Sequence, residues 1–126
     1  MNTSKFFRSF GYALRGIMTV FKEEFNARVH FLAAIVAIVL GVVLKVAWFE
    51  WVILTLVIGG VFAMELINTS IEGLADLYSR ELNPKIKKIK DLAAGAVLVA
   101  AITALIIGLI IFLPKIMAQL HFNLRT

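Results

Sequence analysis

The sequence predicts an all-α integral membrane fold, an N-terminal amphipathic surface helix followed by three transmembrane helices. Three observations carry that reading. Hydrophobic types make up 61% of the 126 residues and charged types only 17%, against about 45–50% and roughly 25% in soluble domains. A chain this small buries only about 60–70% of what it exposes when unfolded, so a mean hydropathy of +0.93 calls for lipid as its solvent. The apolar residues also gather into three long runs, and the basic residues collect on one side of them. The length holds a single domain, 1–126. The absence of cysteine excludes a disulfide framework, a Cys–zinc site and a catalytic thiol. A net charge of +5 would suggest nucleic acid in a soluble protein; here it reports topology, and no nucleic-acid partner is expected.

Residues 4–28 come first. Phe6, Phe7, Phe10, Leu14, Ile17, Met18 and Phe21 recur at spacings of mostly three and four, with Lys5, Arg8, Arg15 and Lys22 on other faces. That pattern predicts an amphipathic helix lying on the membrane surface. Charges throughout and no compact apolar region exclude a cleavable signal peptide. The first span is expected over 29–48, the second over 51–77 and the third over 90–113. A bilayer core needs about 20 helical residues. The uncharged run from Trp51 to Met64 reaches that length only if its helix continues through Glu65 and Asn68. Asn83-Pro84 marks a turn, because the residue before proline avoids the helical region. Gly59-Gly60 reads as a helix-packing site.

Ten of the thirteen Lys and Arg residues fall before the first span or between the second and third. The positive-inside rule then places the N-terminus and the loop around Asn83 in the cytoplasm and the C-terminus outside. Trp48 and Trp51 flank the outer turn and fit an aromatic belt.

Seven of the eight acidic residues lie at or near the inferred cytoplasmic boundary, all except Glu50. Glu65 is the sharpest case. An ionised carboxylate at depth costs about 2.5–3.5 kcal/mol on insertion scales, and nothing about anchoring requires it. Glu65, Asn68, Glu72 and Asp76 are three, four and four apart, so they share one helix face. Glu24 and Arg28 stand at the start of the first span, and Lys90 and Asp91 stand before the third. Clustered carboxylates suit Mg²⁺, which takes one or two of them together with phosphate oxygens and water. A further carboxylate in the apolar zone suits a general base. These are parts for phosphoryl transfer at a membrane surface, where catalysis is mostly positioning and electrostatics.

Plainer readings stand beside this one. Glu65 also fits an interhelical hydrogen-bond partner, and Glu24–Arg28 a surface salt bridge of little value. Lys85, Lys87 and Lys88 fit lipid-headgroup contacts. His30 reads as an interfacial histidine. A non-enzymatic small membrane subunit, its acidic face serving assembly or ion passage, is the alternative from another class.

Glu65-Leu66-Ile67-Asn68-Thr69-Ser70-Ile71-Glu72 resembles the ExxNxxIE signature of the prokaryotic diacylglycerol kinase family, which includes undecaprenol kinases of Gram-positive bacteria. Lys90-Asp91-Leu92-Ala93-Ala94-Gly95-Ala96 is similar to the family's KDxAAgAV block. Gly11-Tyr12-Ala13-x-x-Gly16 and Glu24-x-Asn26-x-x-Val29-His30 resemble its N-terminal blocks. The likeness runs from about Phe6 to Leu113. It implies a homotrimer with active sites shared between protomers at the cytoplasmic face of the bacterial inner membrane. It implies Glu65 as the base that takes the lipid hydroxyl proton, with Asn68 orienting base or substrate. Glu24 and Glu72 would hold Mg²⁺ on the ATP phosphates. Tyr12, Lys90 and Asp91, with Glu81, Leu82 and Asn83, would contact ATP, and Lys5 or Arg8 would meet phosphate. The Glu24–His30 block is closer to the Gram-positive branch, so undecaprenol is the expected acceptor and diacylglycerol the alternative.

Overall fold

The computed structural model describes residues 3–78 and 83–124. Four helices follow in order: α1 (Thr3–Glu23), α2 (Phe25–Val43), α3 (Trp48–Tyr78) and α4 (Pro84–Asn123). The last three are each long and apolar enough to cross a membrane, and only 17%, 22% and 17% of their most apolar windows are buried within the chain. Their apolar side chains therefore face outward, as in a multi-pass membrane protein.

The helix expected over 4–28 is two helices. It ends at Glu23, and Glu24 alone is extended, with φ −98° and ψ 120°, before α2 begins at Phe25. No glycine or proline marks the break. Packing explains it. In one continuous helix Phe21 and Phe31 would lie about 15 Å apart along the axis, yet their ring centroids are 5.2 Å apart and both rings meet Phe62 of α3. The chain turns at Glu24 so that Phe21 and the buried Val20 fold back onto the bundle. The rest of α1 leaves Phe6, Phe7, Phe10, Leu14 and Met18 exposed.

α2 stops in a Schellman turn. The N–H of Val46 donates to the Gly41 carbonyl and that of Lys45 to the Val42 carbonyl, which satisfies two of the helix's orphan carbonyls. Lys45 takes the left-handed conformation there, φ 49°. The turn is short because α3 begins at Trp48, ahead of the expected Trp51. Glu50 fixes that start: its Oε2 accepts from the Ala47 N–H at 2.6 Å, as a glutamate at the third helical position does in a capping box.

α3 and α4 form a long antiparallel hairpin. Two ion pairs set its register, Glu50–Lys115 at 3.0 Å and Asp76–Lys90 at 2.9 Å. They lie about 38 Å apart along the helices. α3 spans about 46 Å, more than the roughly 30 Å of hydrocarbon, so its Asp76 end extends beyond the apolar zone. α4 is capped by Asn83, whose Oδ1 accepts from the Lys85 N–H at 2.9 Å, with Pro84 opening the first turn. It runs through Pro114, as span helices tolerate where neighbours re-satisfy the backbone, and ends well past the expected 113. The core lies at the Trp48 end, where Val46, Leu54, Ile111 and Phe112 are buried together against Trp51 and Leu40.

Candidate active site

The polar residues assemble at the opposite end of the bundle. α3 brings Glu65, Asn68, Glu72 and Asp76 down one face, and helical spacing alone produces this. Glu65 is 2% exposed and Asn68 8%, the only buried polar side chains among the described residues. The Asn68 amide donates to Glu72 Oε1 at 3.1 Å. Its own carbonyl oxygen, Thr69 Oγ1 and Glu65 Oε1 are all buried without a hydrogen-bond partner among the described residues. Three orphaned polar atoms within two helical turns are costly to leave unmade and mark the place where something else binds.

α2 runs antiparallel to α3 and sets His30 against Glu65, with Nε2 3.2 Å from Oε1. The approach is close but is not aligned as a hydrogen bond. Glu24 stands at the break between α1 and α2, a turn and a half before His30. Glu24 caps nothing with its side chain and makes no ion pair with Arg28 among the described residues. The Arg28 guanidinium lies over the Phe25 ring at 5.9 Å instead. The surface salt bridge weighed for this pair is therefore absent, and the Glu24 carboxylate is left open.

α4 contributes Lys90 and Asp91. Lys90 reaches across to Asp76, and Asp91 pairs with Lys87 at 2.6 Å along its own helix. Both pairs are exposed, and exposed pairs are worth little, so an incoming phosphate can compete for either lysine. Asn83 is occupied as a helix cap. Glu81 and Leu82 lie outside the described residues. Tyr12 is exposed on α1 with the Arg15 guanidinium 4.8 Å from its ring centroid. Lys5 and Arg8 share the exposed length of that helix. The backbones of α1 and α4 do not approach among the described residues, so the single chain does not join the α1 residues to Lys90 and Asp91.

An apolar groove of about 620 Å³ opens between α2 and α4 over α3. It begins at His30 and Val29, passes Val61 and Phe62, and runs toward Phe112 and Ile116. It therefore leads along the apolar zone to the Glu65 neighbourhood. Gly59 and Gly60, expected to pack against a helix, meet nothing within 4 Å and face outward from this chain.

His30 and Thr69 were not legible as site residues. The signal for His30 was register. The turn at Leu44–Ala47 places position 30 of α2 level with position 65 of α3, but only once the turn's length is known.

A model of the prokaryotic diacylglycerol kinase family matches residues 11–112. The chain is 44% identical over 113 residues to an undecaprenol kinase of Bacillus subtilis strain 168, covering 90% of this chain and 92% of that protein. It is 35% identical over 111 residues to a diacylglycerol kinase of Synechocystis sp. PCC 6803, covering 87% and 63%. It is 34% identical over 98 residues to a diacylglycerol kinase of Helicobacter pylori strain J99, covering 78% and 77%. The match spans α2, α3 and most of α4, including Glu65, Asn68, Glu72, Lys90 and Asp91, and the chain belongs to the prokaryotic diacylglycerol kinase family.

Proposed function

We propose that this chain transfers the γ-phosphoryl group of ATP to the hydroxyl of a membrane lipid, with undecaprenol as acceptor and undecaprenyl phosphate as product. The observation that carries the reading is Glu65, a carboxylate 2% exposed beside an apolar groove. A lipid hydroxyl that follows the groove reaches this carboxylate without leaving the apolar zone. Glu65 takes the hydroxyl proton as the oxygen attacks phosphorus and ADP leaves, and Asn68, one turn along the same helix face, orients the base or the substrate. Lys90, released from Asp76, meets the donor's phosphates, and Asp91, Tyr12 and the segment Glu81–Asn83 contact other parts of ATP. Lys5 or Arg8 adds a phosphate contact from α1.

The donor set fits Mg²⁺. Glu24 has no described partner and Glu72 only the Asn68 amide, both are hard oxygen ligands, and Mg²⁺ asks for no more than one or two carboxylates when phosphates supply the rest. Bound there, Mg²⁺ would offset the phosphate charge and the repulsion among the glutamates.

What one chain leaves open supports shared sites in a homotrimer: among the described residues α1 and α4 do not meet, and the Gly59-Gly60 face is uncovered. The charge pattern supports the bacterial inner membrane with the Glu65 end cytoplasmic, α1 lying on that leaflet and the C-terminus outside.

The 44% identity to a protein named undecaprenol kinase favours undecaprenol over diacylglycerol. Radiolabelled phosphate transfer from ATP in detergent micelles, with both lipids offered side by side, tests this. Preferential labelling of undecaprenol is expected. Preference for diacylglycerol would overturn the acceptor, and transfer to neither would return weight to a non-enzymatic subunit.

A further inference from the structure

We infer that His30 is a positioning residue for Glu65, holding one carboxylate oxygen from α2 so that the other faces the acceptor hydroxyl. The inference rests on the reading of Glu65 as the base. Its ground is the geometry around that side chain. Glu65 is almost wholly buried, and its Oε1 has no hydrogen-bond partner among the described residues. His30 Nε2 at 3.2 Å is the cationic or N–H group that the structure places against it. The contact joins two helices, so it defines the carboxylate relative to the groove and not merely along α3.

Imidazole suits this task. Neutral histidine offers one N–H donor and no permanent charge. A lysine or arginine at the same place would bind the carboxylate as a fixed ion pair and compete with the proton it has to accept. The present misalignment also fits: catalytic hydrogen bonds are often long or poorly aligned before substrate binds and tighten in the complex. His30 is 23% exposed at the end of the apolar groove, where an arriving headgroup would exclude water and strengthen the contact.

Two measurements decide the matter. The first is kinetics of His30→Ala and His30→Gln alongside Glu65→Gln. A positioning role predicts that His30→Ala lowers kcat on the order of 10- to 100-fold with KM for ATP and lipid little changed. His30→Gln, whose amide N–H can replace Nε2–H, recovers most of that loss. The second is the ¹⁵N imidazole spectrum of the wild type and of Glu65→Gln, simplified because the chain has two histidines and His121→Gln identifies the other. The His30 signal is expected to shift when Glu65 changes. Wild-type kcat in His30→Ala, a glutamine variant as slow as alanine, or an unmoved His30 signal would each overturn the inference. If Glu65→Gln loses turnover while His30→Ala keeps it, only the positioning role falls. If Glu65→Gln keeps turnover, the base and its positioning residue fall together.

Discussion

The two ends of the α3–α4 hairpin are built on opposite terms. At the Trp48 end every device closes on itself. Val46, Leu54, Ile111 and Phe112 bury one another, Gly41 lets Trp51 approach α2, and Glu50 joins Lys115 to the Ala47 N–H. At the Glu65 end polar atoms are buried and, among the described residues, left unmet: Glu65 Oε1, Asn68 Oδ1 and Thr69 Oγ1. One end spends its side chains on holding the helices together, and the other keeps them in reserve. The contrast teaches that stability and chemistry are separated along a single helix pair, with Glu50 and Glu65 about 22 Å apart on α3.

That separation can be broken by mutation. The largest expected effect is at the Glu65 end. Glu65→Gln keeps the shape and removes the base, so turnover should fall about 10²- to 10⁴-fold. Thermal unfolding in detergent should change little or even improve, since a buried carboxylate is replaced by a neutral amide. A large loss of stability instead would show that Glu65 serves the fold.

At the other end the expectation reverses. A Cβ on Gly41 would lie 2.7 Å from Trp51 Cη2, inside any allowed contact, and the indole is held by the core. Gly41→Leu should therefore cost about 2–3 kcal/mol from overpacking, read as a lower unfolding midpoint with KM for ATP and lipid preserved in the folded fraction. A change in KM would mean that the two ends are coupled. Glu50→Ala should act in the same direction but less, by losing the Ala47 cap and the Lys115 pair together, again in the midpoint and not in KM.

The smallest effect sharpens the comparison from the favourable side. Lys45 adopts a left-handed backbone, which costs an L-residue about 1–2 kcal/mol. Glycine removes that cost but adds unfolded-state freedom. Lys45→Gly should therefore raise stability by no more than about 1 kcal/mol, with unchanged turnover. A clear destabilisation would mean that the lysine side chain itself holds the turn.

How much could be read beforehand follows the same division. The Glu65, Asn68 and Glu72 face was legible because helix periodicity alone puts those residues together. The three apolar helices were legible because lipid demands long uncharged runs. Contacts between helices were not. Nothing local announces that α1 ends at Glu23, because the break is imposed by Phe21 meeting Phe31 and Phe62. Nothing local pairs His30 with Glu65, since that depends on the register the Schellman turn imposes. Glu24 and Arg28 look like partners at four-residue spacing, but the extended backbone at Glu24 removes the helical geometry that would join them. Asn83 was expected to touch nucleotide, and the cap it makes with Lys85 is the contact the single chain shows. Pro114 failed to end α4 because helix-breaking rules drawn from water weaken in lipid.

The solitary extended residue at Glu24 makes a universal joint. Its two torsions can swing α1 against the bundle while both helices keep their hydrogen bonds, and the Phe21, Phe31 and Phe62 rings act as the friction plate that sets the resting angle. The carboxylate mounted on that joint belongs to a residue with no side-chain cap hydrogen bond. Whatever pulls on the Glu24 side chain therefore pulls on the hinge pin, and the tilt of a 21-residue lever becomes a gauge of what that carboxylate holds.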